Sequence, residues 1–463
     1  MTRTPASPLE RMIATGRSVR EGCARSDLAE LAQRPSSYDP VARLRWQNVG
    51  RIEELLPLRY ERMLASPFAF YRGAALLMAE DLARGPSPGI HVQICGDAHL
   101  RNFGIFSSPE RQLVFDVNDF DETAQGPFEW DVKRLVTSFA IVAREKKITS
   151  KQEQRMLLDI ARVYQESIRR FARMTRLEVW YAALDIEGGV DGLRGFFNDL
   201  ARQRIDDVIG RAKGKDDRRA FAELVESTTE GPRFKTTSPR TVAFRDLAHG
   251  SLFERELIYR VLEGYPSTLS TDRRRLLSQF HYVDAARHVM GVGSVGTGCY
   301  IVLMVGRDDE DPLVLQLKQA RPSVVSIARG VSDDQEPADR VVKGQRLMQA
   351  THDVFLGWHG VRQHRDQSYY VRQLYDHKAA IDVARLDEKG LRAYGRLCAW
   401  VLARAHARSG TSGEIAGYLG RNDDFAQAVA GFALSYRKRN HADYLALHEA
   451  SSKGRLSNLK SRS

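Results

Sequence analysis

Asp97 and Asn102 stand five residues apart in "CGDAHLRN" (95–102), between two apolar runs. A strand-like run ending in carboxylates, "VFDVNDFDE" (114–122), follows shortly after. Phosphoryl transfer needs in-line positioning, a group that receives or orients the acceptor hydroxyl, and neutralisation of phosphate charge by Mg²⁺. Mg²⁺ prefers hard oxygen ligands, so Asn102 and a carboxylate from "DFD" (119–121) are suitable types, and Asp97 would face the acceptor. Gly-Asp and Asn-Asp pairs are also common turn formers, and the acids could cap helices. The pattern by itself therefore leaves a structural role and a chemical one both open.

A second group lies nearly two hundred residues further on. "GVGSVGTGCY" (291–300) contains G-x-G-x-x-G at Gly291, Gly293 and Gly296. A dinucleotide-binding turn requires a helix directly after such glycines. Here the apolar run "CYIVLMV" follows, then the acidic turn "GRDDED", then "PLVLQLK" ending at Lys318, which reads as a β-hairpin. Glycines let backbone approach phosphate oxygens closely, and a lysine supplies a point charge.

These residues need strands and helices to hold them. Residues 1–40 are polar and Arg-rich. Residues 41–90 repeat apolar positions at three and four, as a helix does, and the breaker "RGPSPG" (84–89) closes that pattern. Residues 91–285 begin with the short strand-like runs "IHVQICGD", "NFGIF" and "QLVFDVNDF". From 131 they read as mainly helical, with polar loops near 213–217 and 227–240. Residues 286–378 form the second β-rich region, with "YYVRQLY" (369–375) a further strand. Between the strands "EPADRVVKGQRLMQAT" is helical in pattern, and Pro337 suits its first turn. Residues 379–450 return to helix, where "LRAYGRLCAWVLARAHARSG" puts Leu391, Leu397, Val401 and Ala405 near one face. Residues 451–463 read as a disordered basic tail. The fold class is α+β with helix dominating.

Bulk properties narrow the function. A chain of 463 residues, 43% hydrophobic, has material for more than one substantial core. The net charge of +11 invites a nucleic-acid partner, yet residues 437–463 carry seven Lys/Arg against two acids, and the rest of the surplus is thinly spread. No aromatic-basic interleaving accompanies that tail, so nucleic acid is not the expected partner. Cys23, Cys95, Cys299 and Cys398 have neither disulfide nor zinc spacing. No run of 18 apolar residues and no secretory apolar core is present, which makes the cytoplasm the default and membrane association unexpected.

"CGDAHLRN" resembles the "H-G-D-x-H-x-x-N" catalytic loop of aminoglycoside and choline kinases, members of the protein-kinase-like superfamily, with Cys95 in place of the usual His. "NDFDETAQGPFEWDVKRL" resembles their metal-binding strand and the segment after it. The resemblance implies that Asp97 is the catalytic base, that Asn102 and Asp119 are metal ligands, that Asp121 serves a second metal, and that Asp131 braces the loop. Asp116 competes with Asp119, because either terminates part of the apolar run. A glycine loop inside a hairpin followed by a strand lysine is also their arrangement, with Gly298 where a valine ordinarily covers the adenine. The acid partner of Lys318 stays open, since neither Glu336 nor Gln345 of the following helix is a secure one. "YYVRQLY" matches the inter-lobe linker and the helix at 388–408 the element that leads into the catalytic loop.

These parts occur in the wrong order for that superfamily. The implied fold is a two-lobed kinase-like one, circularly permuted, with a small antiparallel sheet lobe; contacts and not chain order define a site. The whole chain, through "SPFAFYRG", "CGDAHLRNFG" and "FDVNDFDE", also resembles a bacterial family catalogued as domain of unknown function 2252. The expectation is a Mg²⁺- and ATP-dependent phosphotransferase acting on an open class of small-molecule or protein hydroxyl acceptor. Tyr71 and Arg72 are candidates for substrate or phosphate contact, and His99 for a supporting role. A nucleotide-binding pseudokinase scaffold and a nucleotidyl transferase remain alternatives. So does a phosphoesterase built on "DAH" (97–99) with Asp116, Asp119 and Asp121, for which His91 and His99 are few.

Overall fold

The computed structural model describes residues 6–183, 221, 223–229, 231–247, 251–332, 335–361, 364–374 and 381–456. The N-terminal helices start where the sequence supplies caps and prolines. These helices are α1 (Pro8–Ser18), α2 (Pro40–Gln47), α3 (Leu56–Leu64), α4 (Pro67–Gly73) and α5 (Ala75–Arg84). The side chains of Ser7, Asp39 and Ser66 cap α1, α2 and α4, each followed by a first-turn proline whose fixed φ suits that position. Four short strands come next: β1 (His91–Ile94), β2 (Phe103–Ser107), β3 (Leu113–Val117) and β4 (Ala124–Pro127). β1 pairs with β4, and β2 with β3. The β2–β3 hairpin is thereby enclosed between the pair, which brings the chain after β1 and the chain after β3 side by side.

Three helices continue the chain: α6 (Phe128–Glu145), α7 (Ser150–Phe171) and α8 (Arg176–Tyr181). After them the structure departs from the mainly helical reading of 131–285. β5 (Val225–Thr228), β6 (Gly231–Phe234) and β7 (Thr241–Ala243) precede α9 (Ser251–Gly264) and α10 (Thr271–Leu277), and β8 (His281–His288) closes the region. β8 contains alanines and charged residues that give no strand alternation; its ladder with the apolar β9 overrides local preference. Residues 227–240, expected as a loop, hold β6, while the expected loop at 213–217 lies outside the described residues.

The remaining elements are β9 (Cys299–Val305), β10 (Pro312–Gln319), α11 (Val324–Arg329), α12 (Pro337–Met348), β11 (Gly357–Val361) and β12 (His364–Gln373). Three helices end the described chain: α13 (Glu388–Ala407), α14 (Ser412–Leu419) and α15 (Asp424–Ser452). The expected β9–β10 hairpin is present, inside a six-stranded antiparallel sheet of order β11-β12-β10-β9-β8-β7. "YYVRQLY" is a sheet strand and not a linker as far as Gln373; residues 375–380 lie outside the described residues. The protein is thus a helix-rich α+β fold.

Residues 128–143 of α6 are all buried, because α7, α13 and α15 pack around that helix. The predicted face of α13 is in the core: Leu391, Leu397, Val401 and Ala405 are all buried. The expected C-terminal helix runs over Asp424–Ser452, and of the expected tail, residues 457–463 lie outside the described residues. Arg437 pairs with Glu153, Arg439 reaches Asp81, and the described chain runs on through 456. No helix among the described residues is long and apolar enough to cross a membrane.

Burial in α6 has a pH consequence. Glu129 accepts a 2.6 Å hydrogen bond from the Ser87 hydroxyl, its second carboxylate oxygen has no partner among the described residues, and burial lifts the group from 4.5 to about 7. The folded protein then holds a proton that the unfolded chain has released. Stability therefore falls as pH rises between about 4.5 and 7. Glu129→Gln should flatten that part of the profile, read as a smaller shift of the urea midpoint between about pH 5 and about pH 8.

Candidate functional site

The loop after β1 turns sharply at Gly96, whose φ of +77° belongs to the left-handed region. A Cβ there would stand 2.1 Å from the Glu122 carbonyl oxygen, so only glycine lets the loop lie against the 118–123 segment. Asp131, in the first turn of α6, accepts hydrogen bonds from the Cys95 and Gly96 N–H groups at 2.8 and 2.9 Å. This is the bracing geometry expected of it. His406 of α13 stands behind, its Nε2 3.3 Å from Asp131 Oδ2 and its Nδ1 2.8 Å from the Tyr164 hydroxyl. Cys95 is a packed core residue with a buried thiol, as expected.

Asp97 is held by an arginine that the sequence reading missed. Arg134 donates to Asp97 Oδ1 from Nε at 2.7 Å, donates to the Tyr71 carbonyl, and lies over the Tyr71 ring. Asp97 Oδ2 lies 3.8 Å from His99 Nε2. Burial raises the Asp97 carboxyl above its ordinary range against the pull of Arg134. Burial, with Arg72 and Arg134 nearby, holds His99 well below the usual imidazole range, which keeps the ring neutral. Tyr71 is buried beneath Arg134 and serves the loop; it does not line the cavity, unlike Arg72. The signal for Arg134 was present in "WDVKRL", where charged residues three apart share the inward face of an otherwise apolar helix.

Asn102 donates from Nδ2 to the Asp97 carbonyl at 2.6 Å. The 118–123 segment joins from the other side, with the Asn118 N–H donating to the Asn102 carbonyl at 2.8 Å. Asp116 and Asp119 separate cleanly. Asp116 is buried on Arg404 of α13 and accepts from the Val117 and Ala350 N–H groups, so it is a core residue and not a metal ligand. Asp119 and Asp121 line the cavity.

Residues from the distant glycine loop complete that cavity, about 100 Å³ in volume. Gly291 and Gly293 line it together with Asp97, Asn102, Asp119 and Asp121. Gly291 and Gly296 have φ of +68° and +86°, but Gly296 faces Arg51 and is a turn residue outside the lining. Lys318, on β10, forms an ion pair with Asp121 and lies 3.7 Å from Asp119 Oδ2. The Tyr370 hydroxyl, from the neighbouring β12, donates to Asp121 Oδ1 at 2.8 Å. Although burial opposes both charges, Asp119 and Asp121 hold the Lys318 ammonium well above its usual range, and Lys318 with Arg372 keeps Asp119 below the ordinary carboxylate range.

The open partner of Lys318 is therefore Asp121 and neither Glu336 nor Gln345. Gln345 bonds Gln349, and Glu336 packs beside Gly360. Where a helix acid was sought, α12 carries Arg340, which donates to the Thr123, Asp121 and Arg321 carbonyls. A Cβ at Gly298 would meet the Tyr369 hydroxyl at 2.7 Å, so Tyr369 occupies the space a covering valine would need. Asn102 Oδ1 and Asp119 offer hard oxygens on one cavity wall, a donor set suited to a magnesium ion that shares its shell with phosphate oxygens. Asp121 is already engaged by Lys318 and Tyr370. No cluster of three or more His, Cys, Asp or Glu residues suited to a metal occurs among the described residues.

Asp131→Ala should free the Cys95 and Gly96 amides. Hydrogen exchange at those two positions is expected to accelerate by about tenfold or more, because charge-assisted bonds of this kind contribute about 1.5–3 kcal/mol. Unchanged protection of 95–96 in a folded variant would show that the loop is held some other way. No curated protein and no solved structure matches the chain. One family profile does, over residues 51–450, which takes in the loop at 95–102, the 116–123 segment, the glycine loop and Lys318. The chain belongs to the family described as "Uncharacterized protein conserved in bacteria (DUF2252)".

Proposed function

We propose that the protein is a Mg²⁺- and ATP-dependent phosphotransferase of circularly permuted kinase-like fold, acting on a hydroxyl acceptor. One observation carries the reading: Asp97, Asn102, Asp119 and Asp121 share a single cavity with Gly291 and Gly293, and Lys318 reaches Asp119 and Asp121 from the sheet. Loop, acids, glycines and lysine meet although nearly two hundred residues separate them in sequence. Chance turn formers have no reason to converge in this way.

In this reading Asp97 orients the acceptor hydroxyl and receives its proton on Oδ2, since Oδ1 is taken by Arg134. Even with burial lifting it against the pull of Arg134, a carboxylate is a weak base beside an alkoxide. That suits a transfer in which positioning contributes more than early deprotonation. Asn102 and Asp119 would hold magnesium, which when bound supplies charge neutralisation to the phosphate oxygens. Asp131 and His406 keep the loop in register, and Arg134 fixes the Asp97 rotamer. Lys318 ties the metal-side carboxylates to the sheet, so its loss disturbs the nucleotide and metal sites together.

Calorimetric titration with ATP and Mg²⁺ tests this. Wild type should bind, while Asp119→Ala and Lys318→Ala should each weaken binding by about tenfold or more, equivalent to about 1.4 kcal/mol. Absent binding in wild type, or unchanged binding in both variants, overturns the reading. With an acceptor in hand, Asp97→Asn should lower kcat by a factor of about 10²–10⁴ while leaving nucleotide affinity nearly intact.

A further inference from the structure

Three arginines, Arg51, Arg72 and Arg321, line the same cavity, and among the described residues none of them lies within ion-pair distance of a carboxylate. Arg51 donates to the Val295 carbonyl, and Arg321 to the carbonyls of Gln47 and Val49. The Arg72 guanidinium meets no protein acceptor among the described residues, and its Nε is fully enclosed, as is that of Arg51. Burial lowers all three. Arg72 falls to about 10 with Arg101 adding repulsion, and Arg51 is repelled by Arg59 and Arg321. Asp97, Asp119, Asp121 and Glu122 act on these arginines only from beyond ion-pair distance and do not offset their burial, and an anion in direct contact would relieve that imbalance.

The glycine loop is arranged to the same end. Its carbonyls are taken from behind: Gly291 by Arg62, Val292 and Gly293 by Arg59, and Gly296 by the Ile52 N–H. The N–H groups of Gly291, Val292, Gly293 and Ser294 have no protein acceptor among the described residues. A run of free backbone donors of this kind is an anion-binding concavity. Lys318 differs from the arginines, because Asp121 and Asp119 already neutralise it.

We propose that Arg72, Arg51 and Arg321, with the N–H groups of Gly291–Ser294, form the seat of an oligophosphate chain, and that Lys318 serves as the counter-ion of Asp119 and Asp121. Arg51 and Arg72 come from the N-terminal helical region, whereas Arg321 and the N–H groups come from the segments flanking β9 and β10. The proposal rests on the nucleotide reading only for the owner of the phosphates.

The test is calorimetric titration of the full chain with inorganic tripolyphosphate in the presence of a chelator, repeated with Mg²⁺ and ATP. Wild type should bind tripolyphosphate. Arg72→Gln should weaken it by about tenfold or more, and Arg72→Lys should recover part of the loss. Arg321→Gln, expected to weaken binding as well, covers the case in which Arg72→Gln fails to fold by circular dichroism. Absent tripolyphosphate binding in wild type overturns the proposal, as does binding that both arginine variants retain unchanged. Arginine-dependent tripolyphosphate binding without any affinity for Mg²⁺ and ATP upholds the anion seat and removes the nucleotide reading. Nucleotide binding indifferent to Arg72 does the reverse.

Discussion

The contact between Lys318 and Asp121 joins the six-stranded sheet to the loops that follow β1 and β3. A buried ion pair of this kind gains little net stability, because desolvation of both charges opposes their attraction. Its value is geometric. The ammonium and the Tyr370 hydroxyl fix Asp121 from one side, while Arg340 and Ser323 take the carbonyls of residues 121–123 from the other. The whole segment is thereby clamped between elements that come much later in the chain. Asp119, two residues from Asp121, inherits its position from that clamp, and the cavity inherits its shape.

Local chemistry was legible in the sequence where a residue's neighbours in the chain determine its conformation. The β9–β10 hairpin, the proline-led helices and the glycine turns depend on dihedral preferences, and they stand where the pattern places them. Asp97, Asn102, Asp119 and Gly291 were readable as a set because type and spacing constrain a loop. Which of Asp116 and Asp119 lines the cavity, and that Gly296 lies outside its lining, was not legible, because periodicity says that a residue ends a strand or turn and not which side faces the cavity.

The supporting charges were harder to see, since each is defined by a partner far away in sequence. Arg134 is thirty-seven residues from Asp97, Arg404 is 288 from Asp116, and His406 is 275 from Asp131. Each sits inside an apolar helical run, where a charge at an inward position is the one clue available. β8 was missed through the opposite effect, a segment without strand character that pairing with an apolar neighbour makes into one. Its tertiary environment decides its state, and a window of a dozen residues does not contain that information.

The clamp on residues 116–123 also bears on how the molecule comes into being. During synthesis the ribosome releases Asp97, Arg72 and the 116–123 segment long before Lys318, Arg340 and Ala350 exist to receive them. Until then the nascent chain carries an acid-rich loop and a set of arginines with no fixed relation to one another. Contacts of such long separation form late. The cleft is consequently a property of the finished chain, and a truncated product holding every loop acid would still lack it.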